Sequence, residues 1–149
     1  MTEIILMIAL VIAAVTDAKT KTIPLPLFPI VTVIDVVYKL LQGVSLIPSL
    51  ISSISLSIIF VILAATSKGG GGDIIMFFCI GFVLGLKKSF LLLYILCAVY
   101  ILALITIMLY GKIRKKKSFK ELAKMQIPLA PFVFMAYIVM QIITYLGGK

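Results

Sequence analysis

The sequence predicts an all-α fold: a polytopic integral membrane helix bundle with about six transmembrane helices. Hydrophobic residues make up 63% and charged residues 13% of the 149 residues, whereas soluble domains average about 45–50% and about 25%. The apolar residues form continuous runs, which indicates helices, and lipid admits only helices or closed barrels as spanning structures. We therefore expect residues 1–149 to form a single membrane-embedded domain.

The first three apolar runs, residues 4–16, 26–41 and 46–66, predict the first half of the bundle. Glu3 precedes the first run, and neither a basic segment nor a small-residue cleavage site flanks that run. We therefore expect a retained helix rather than a signal peptide. Pro24 prevents a simple continuation of this helix into the second run.

Small residues mark the expected contacts between helices. Serines recur every four residues along the third run, and two glycines are four residues apart in the fourth run, residues 74–86. Small side chains let helix backbones approach closely in lipid, so both patterns predict helix packing. A polar transport path along the serines is the alternative. The residues concerned are Ser45, Ser49, Ser53 and Ser57, with Gly81 and Gly85.

The last two runs, residues 90–110 and 127–146, complete the six helices, and the basic residues between runs predict their orientation. Ten of the 14 Lys and Arg residues fall in the first, third and fifth loops. The positive-inside rule therefore places these loops in the cytoplasm and both termini outside the plasma membrane. The net charge of +9 is thus a topology signal that also attracts membrane lipid headgroups, and we expect no nucleic-acid partner.

Acidic residues are few, and two of them lie at the ends of short apolar runs. Among five acids in the chain, Asp17 follows the first run and Asp73 follows the glycines at 69–72. An acid against lipid is costly and is a functional-site candidate by default. Both acids belong to odd-numbered loops, the first and the third, which the positive-inside rule places in the cytoplasm. Their runs have 13 residues each, about 20 Å of helix, so we expect both carboxylates to be recessed below the cytoplasmic membrane surface.

Asp17 and Asp73 together predict an acid–base pair. Two carboxylates within a few ångströms of each other cannot both ionise easily, so one retains a proton and the other is a base. Peptide hydrolysis of the aspartic type needs a base to activate water and an acid for the leaving group. The chain has no His, and Cys79 and Cys97 lie alone in apolar runs, so we expect no metal and no cofactor.

Glycine-rich and proline-containing segments lie beside the two acids. The glycines before Asp73 form a backbone without Cβ atoms, along which a peptide substrate could bind as an added strand. The prolines after Asp17 fix a bend next to its carboxylate. The segments that we expect to adjoin the substrate are Gly70, Gly71 and Gly72, with Ile23 and Pro24.

Structural roles for the same two acids remain open alternatives. Asp73 follows a glycine-rich loop, which is a favoured position for a helix N-cap. Asp17 is followed closely by Lys19 and Lys21, either of which could neutralise an acid at the membrane interface.

The other acids predict structural roles. Asp35 lies inside the second run, four residues before Lys39, and this spacing predicts an ion pair on one helix face. Glu121 lies in the basic fifth loop, where we expect a short surface helix over residues 118–125.

These motifs resemble those of the type IV prepilin peptidases, membrane aspartic proteases of the GxGD class. The resemblance covers nearly the whole chain and implies that Asp17 and Asp73 are the catalytic pair. It also implies cleavage of short basic leaders on the cytoplasmic side. Family members commonly have Asn and Lys at the positions of Leu25 and Ile75. The matching segments are Asp17-x5-Ile23-Pro24, Gly70-Gly71-Gly72-Asp73 and Pro128-Leu129-Ala130-Pro131-Phe132.

The short chain resembles the peptidase-only members, such as those associated with Flp (tight-adherence) pili and archaeal preflagellins. It begins directly at the first run, so we expect no N-terminal methyltransferase-type region. The expected substrate is a single-span, prepilin-like membrane protein. The alternatives are a non-enzymatic transporter or assembly subunit and an inactive relative that binds pilin-like helices.

Overall fold

The computed structural model describes residues 2–24, 26–66, 71–114 and 128–147. Within these ranges it contains five helices and no strand, which confirms the all-α prediction. Gly70 and Glu121 lie outside the described residues, as does the surface helix predicted over 118–125. The helices are α1 (Thr2–Thr20), α2 (Leu27–Leu41), α3 (Ile47–Thr66), α4 (Gly71–Arg114) and α5 (Ala130–Gly147).

The first helix is longer than predicted. The prediction ended it at residue 16, before Asp17, but α1 continues to Thr20 and carries Asp17 in its last turn. The acid does not end the helix, because Asp17 takes a position on its buried face. Lys21 then ends α1 with a positive φ of 54° and donates its backbone N–H to the Asp17 carbonyl over 2.9 Å.

The fourth and fifth predicted runs form one helical element, α4, that is interrupted at Gly85. This residue has φ 72° and ψ 173°, a backbone conformation that essentially only glycine adopts without strain. The part of α4 before Gly85 runs toward the start of α1. Just after Gly85, Lys88 forms an ion pair with Glu3 in the first turn of α1. After it, Tyr100 packs edge-on against Phe132 of α5 with ring centroids 5.6 Å apart. The chain therefore reverses direction near Gly85.

The predicted small-residue contact between helices is confirmed at Gly81 and wrong at Gly85. A Cβ added at Gly81 would lie 2.6 Å from the Cα of Ser53, so α3 and α4 touch backbone to backbone there. A Cβ at Gly85 would meet no atom within 4 Å. Gly85 is therefore required for its positive φ rather than for close packing. Phe60 of α3 also stacks on Phe77 of α4.

The predicted Asp35–Lys39 ion pair is confirmed and joins three helices. Lys39 Nζ lies 2.6 Å from Asp35 Oδ2 on the same face of α2. The same ammonium donates to Ser49 Oγ of α3 over 2.8 Å and to the Phe82 carbonyl of α4 over 2.7 Å. Because the helix breaks at Gly85, the carbonyls of the preceding turn lack regular partners, and Lys39 satisfies one of them.

Apolar surface covers the outside of the bundle, as in a membrane protein. Two helical segments of the described chain, Gly71–Thr106 and Ala130–Gly147, are long and apolar enough to cross a membrane. Only 22% and 28% of their most apolar windows are buried within the bundle. Large hydrophobic side chains are also exposed on the other helices, such as Val33, Ile47 and Ile62.

The lengths of the described helices do not show six separate transmembrane helices. Helix α2 has 15 residues, which is about 22 Å of helix. A full crossing requires roughly 20 residues. In α1 the apolar stretch is bounded by charged Glu3 and Asp17. The fold is therefore an all-helical, membrane-type bundle.

Candidate active site

Asp17 belongs to the buried face of α1. The side chains of Leu6, Leu10, Ala13 and Asp17 recur at the spacing of one helix face, and all four are buried. Only 7% of Asp17 is exposed. The helical spacing therefore places this carboxylate on the face of α1 that packs against the other helices.

The alternative in which a lysine neutralises Asp17 is wrong for the described residues. No described cation lies within ion-pair distance of the Asp17 carboxylate. The ion pairs in the described part of the chain are those of Asp35 and Glu3. Lys19 and Lys21 are both exposed. Asp17 is thus a buried carboxylate without a cationic partner among the described side chains.

The partner of Asp17 is the first backbone amide of α5. The Ala130 N–H donates to Asp17 Oδ2 over 3.0 Å, and both groups are buried. The Leu129 carbonyl accepts the N–H groups of Phe132 and Val133, which makes Leu129 the N-cap and Ala130 the first helical residue. Since Pro131 has no N–H, the Ala130 amide is the donor that the first turn offers to another helix.

Asp73 lies inside the first turn of α4, as its third residue. Helix α4 begins at Gly71, so the N-cap alternative for Asp73 is not supported. Its side chain is partly buried, and the start of α4 packs against Ile23, which follows α1. Asp17 near the end of α1 and Asp73 near the start of α4 therefore belong to helix ends that lie next to each other.

Gly72 and Ile23 connect the two halves of this site. A Cβ added at Gly72 would lie 3.2 Å from the Ile23 Cβ, so the start of α4 packs against the segment that follows α1. Gly71 is exposed, and a Cβ there would meet no atom within 4 Å. Pro24 is partly buried, and its carbonyl accepts the Leu27 N–H at 3.2 Å, which starts α2.

The Ala130 amide is the site group that the sequence analysis missed. A backbone N–H has no side-chain signature, and nothing in residue type distinguishes Ala130 from other alanines. The available signal was its surroundings, because the prolines at 128 and 131 restrict the start of the last helix. Among the described residues, no group of three or more His, Cys, Asp or Glu side chains could hold a metal ion.

The fold and site define a membrane-type helix bundle with two carboxylates at neighbouring ends of different helices. The family model of the type IV leader peptidase family matches residues 4–111, which is more than half of the chain and includes both acids. The chain belongs to this family, which confirms the predicted resemblance and indicates a protease. The comparisons with curated proteins and with solved structures each gave no match.

Proposed function

We propose that the protein is a membrane aspartic endopeptidase that cleaves the short basic leaders of type IV prepilin-like precursors. The observation that carries this proposal is the packing of the start of α4, which carries Asp73, against Ile23, which follows the end of α1 that carries Asp17. These acids lie 56 residues apart in the chain, and burial of the first on the core face of α1 has a cost that a structural surface acid would avoid.

In the proposed reaction, the ionised carboxylate takes a proton from a water molecule. The water oxygen then forms a bond to the scissile carbonyl carbon of the precursor. The protonated carboxyl group gives its proton to the amide nitrogen as the carbon–nitrogen bond breaks. The products are a leader with a free carboxyl terminus and a mature protein with a free amino terminus, so this hydrolysis requires no further reactant.

The open backbone at Gly71 supports binding of the substrate beside Asp73. Gly71 and Gly72 belong to the first turn of α4, so their backbone is helical and cannot bind the leader as the added strand that the sequence predicted. The precursor's leader would instead lie against the open side of Gly71, where a side chain would meet no described atom within 4 Å. Gly72 is packed against Ile23, so we assign it to holding the start of α4 rather than to substrate contact.

We also propose that the chain crosses the plasma membrane six times, with both acids on the cytoplasmic side. The reversal of α4 at Gly85 supports this topology, because one helical element then provides two crossings. The charge of the loops supports the orientation. With α1 ending at Thr20, Asp17 lies about one turn, or 5 Å, before the helix end, which keeps the acids recessed.

Co-expression with a prepilin-like precursor tests the proposal. Wild type should convert the precursor to its shorter form, while Asp17→Asn and Asp73→Asn should each reduce the rate at least about 100-fold, because each variant removes an acid–base group. Processing is followed by the mobility of the precursor on gels. A wild-type rate in either variant would show that the two-acid mechanism is wrong.

The matched control is the double variant Asp35→Asn/Lys39→Gln. It also removes a buried carboxylate from the chain, but together with its ion-pair partner and away from the proposed site. Processing by this variant should remain within a few-fold of wild type when corrected for the amount of folded protein. A similar loss in all three variants would point to a general loss of folding instead.

A further inference from the structure

The acidic side chains outside the proposed site are each matched by basic residues of the chain. Five acidic side chains are present in all. Two of them are paired with lysines in the described structure, Glu3 with Lys88 and Asp35 with Lys39. A third, Glu121, lies among the seven Lys and Arg residues of the fifth loop. The other two are the acids of the proposed site, so the chain offers no spare carboxylate to a basic leader.

Two lysines, Lys19 and Lys21, form a positively charged rim on the α1 side of the proposed site. Both side chains are exposed, one in the last turn of α1 and the other directly after the helix. Lys21 is two residues before Ile23, which packs against Gly72, so the Cα atoms of Lys21 and Ile23 are within about 7 Å of each other. This separation is shorter than the Debye length of about 8 Å at physiological ionic strength. The rim therefore repels a basic leader.

The depth of Asp17 in α1 places a bound leader at the level of the lipid headgroups. The helix continues from Asp17 to Thr20, which is about 5 Å. An extended chain covers about 3.3 Å per residue, so a leader residue two positions before the scissile bond reaches the end of α1. In the topology that we propose, this end lies at the cytoplasmic headgroup layer, which is about 5–8 Å thick. The basic residues of the leader therefore lie among headgroups.

We propose that anionic lipid headgroups of the cytoplasmic leaflet, rather than acidic side chains of the protein, hold the basic leader beside the site. This inference rests on the proposed function, because it names the partner that binds the leader in that reaction. Lys19 and Lys21 attract the same headgroups, since a Lys or Arg residue near an anionic membrane surface is drawn to it. Lipid phosphate thus lies between the positive rim and the positive leader and is attracted to both.

Cleavage in nanodiscs of defined lipid composition tests the inference. Purified full-length protein is placed in phosphatidylcholine discs with or without phosphatidylglycerol. The substrates are a precursor peptide with the basic leader and a version with Gln in place of the leader's Lys and Arg residues. Anionic lipid should lower the KM of the basic precursor about 5-fold for each basic residue of the leader and should leave the KM of the Gln version unchanged. Equal KM values for the basic precursor in both kinds of disc would overturn the inference.

A charge reversal on the rim tests whether the lipid replaces a missing carboxylate. Lys21→Glu supplies an acidic side chain there, so the KM of the basic precursor in phosphatidylcholine discs should fall about 2-fold to 5-fold, the effect of an exposed ion pair. The gain from phosphatidylglycerol should shrink accordingly.

The matched control is Lys87→Glu, which makes the same charge change at an exposed lysine near the break in α4, away from the proposed site. This variant should keep the wild-type response to phosphatidylglycerol. Equal responses of the two variants would show that anionic lipid only concentrates the peptide on the disc, and would overturn the placement of the lipid beside the site.

A binding measurement that requires no cleavage separates this inference from the proposed function. Fluorescent leader peptide is titrated against discs that contain the Asp17→Asn variant and against empty discs, each with and without phosphatidylglycerol, and binding is followed by anisotropy. The tightest binding should occur to protein-containing discs with anionic lipid. Equal binding to empty anionic discs, or to protein-containing discs without anionic lipid, would overturn the inference even if the precursor is cleaved. The expected binding without any cleavage by wild type would support the inference and count against the peptidase proposal.

Discussion

Two buried aspartates in this bundle have opposite surroundings. Asp35 is fully buried and paired with Lys39 at 2.6 Å. Asp17 is 7% exposed, and among the described residues it is bound by the neutral Ala130 N–H at 3.0 Å and by no cation. A buried acid with its own cation has its charge balanced within the fold. In the function that we propose, a buried acid without a cation is the one that is available for proton transfer. We therefore propose a structural role for Asp35 and a catalytic role for Asp17.

The largest expected effect on stability comes from breaking the pair at Asp35. Asp35→Ala would leave the Lys39 ammonium, 15% exposed, without its counter-charge, and should lower the free energy of unfolding by about 3–5 kcal/mol. Asp17→Asn should change it by less than about 1 kcal/mol, because the Asn oxygen can still accept the Ala130 N–H. Denaturant titration of the purified protein in one detergent measures both values.

Replacing both partners of the ion pair tests the reason for that loss. In Asp35→Leu/Lys39→Met the buried charges are both absent, and well-packed apolar replacements of a buried ion pair are often neutral. This double variant should recover most of the stability that Asp35→Ala loses. If the two are equally unstable, packing of the aspartate side chain rather than the unpaired lysine would explain the loss.

A smaller effect should distinguish the closed packing near Asp35 from the open backbone near Asp73. At Gly81→Ala the new Cβ would lie 2.6 Å from the Ser53 backbone, and separating α3 from α4 should cost about 1–3 kcal/mol of stability. Gly71→Ala is the matched control, because its Cβ would meet no atom within 4 Å. Equal destabilisation of both in the same denaturant titration would show that the contact at Gly81 does not matter.

The smallest effect concerns the end of α1, four residues after Asp17. Lys21 has φ 54°, a left-handed conformation that costs a non-glycine residue about 1–2 kcal/mol. Lys21→Gly should therefore stabilise the protein by about 1 kcal/mol, measured as an increase in the denaturant midpoint. Lys19→Gly, inside the helix, should instead destabilise it by about 0.5–1 kcal/mol. The same sign for both would contradict the strained end of α1.

Side-chain patterns predicted the parts of the fold that depend on local spacing. Asp35 and Lys39 are four residues apart, so one helix face was sufficient to predict their pairing. The apolar composition predicted the all-helical membrane-type fold, and the spacing of Asp17 and Asp73 from their neighbours predicted the family. These inferences require no knowledge of how distant segments meet.

The features that were missed depend on backbone geometry and on long-range contact. The GxxxG spacing gave Gly81 and Gly85 the same predicted role, but only the backbone reveals that Gly85 takes φ 72° at a break in α4. The end of α1 was misplaced because a buried acid breaks the apolar pattern without breaking the helix. The bond between Asp17 and Ala130 joins residues 113 positions apart, a pairing that no local spacing can express.

The bond from Ala130 also has a consequence for the order in which the working protein is assembled. Ribosomes synthesise the chain from residue 1, so α1 and the first turn of α4 exist before α5 emerges. Until then, the nascent chain contains both aspartates but lacks the amide that binds the Asp17 carboxylate. Completion of the last helix is therefore the step that gives Asp17 its hydrogen-bond donor, and an unfinished chain in the membrane would contain this buried carboxylate without that partner.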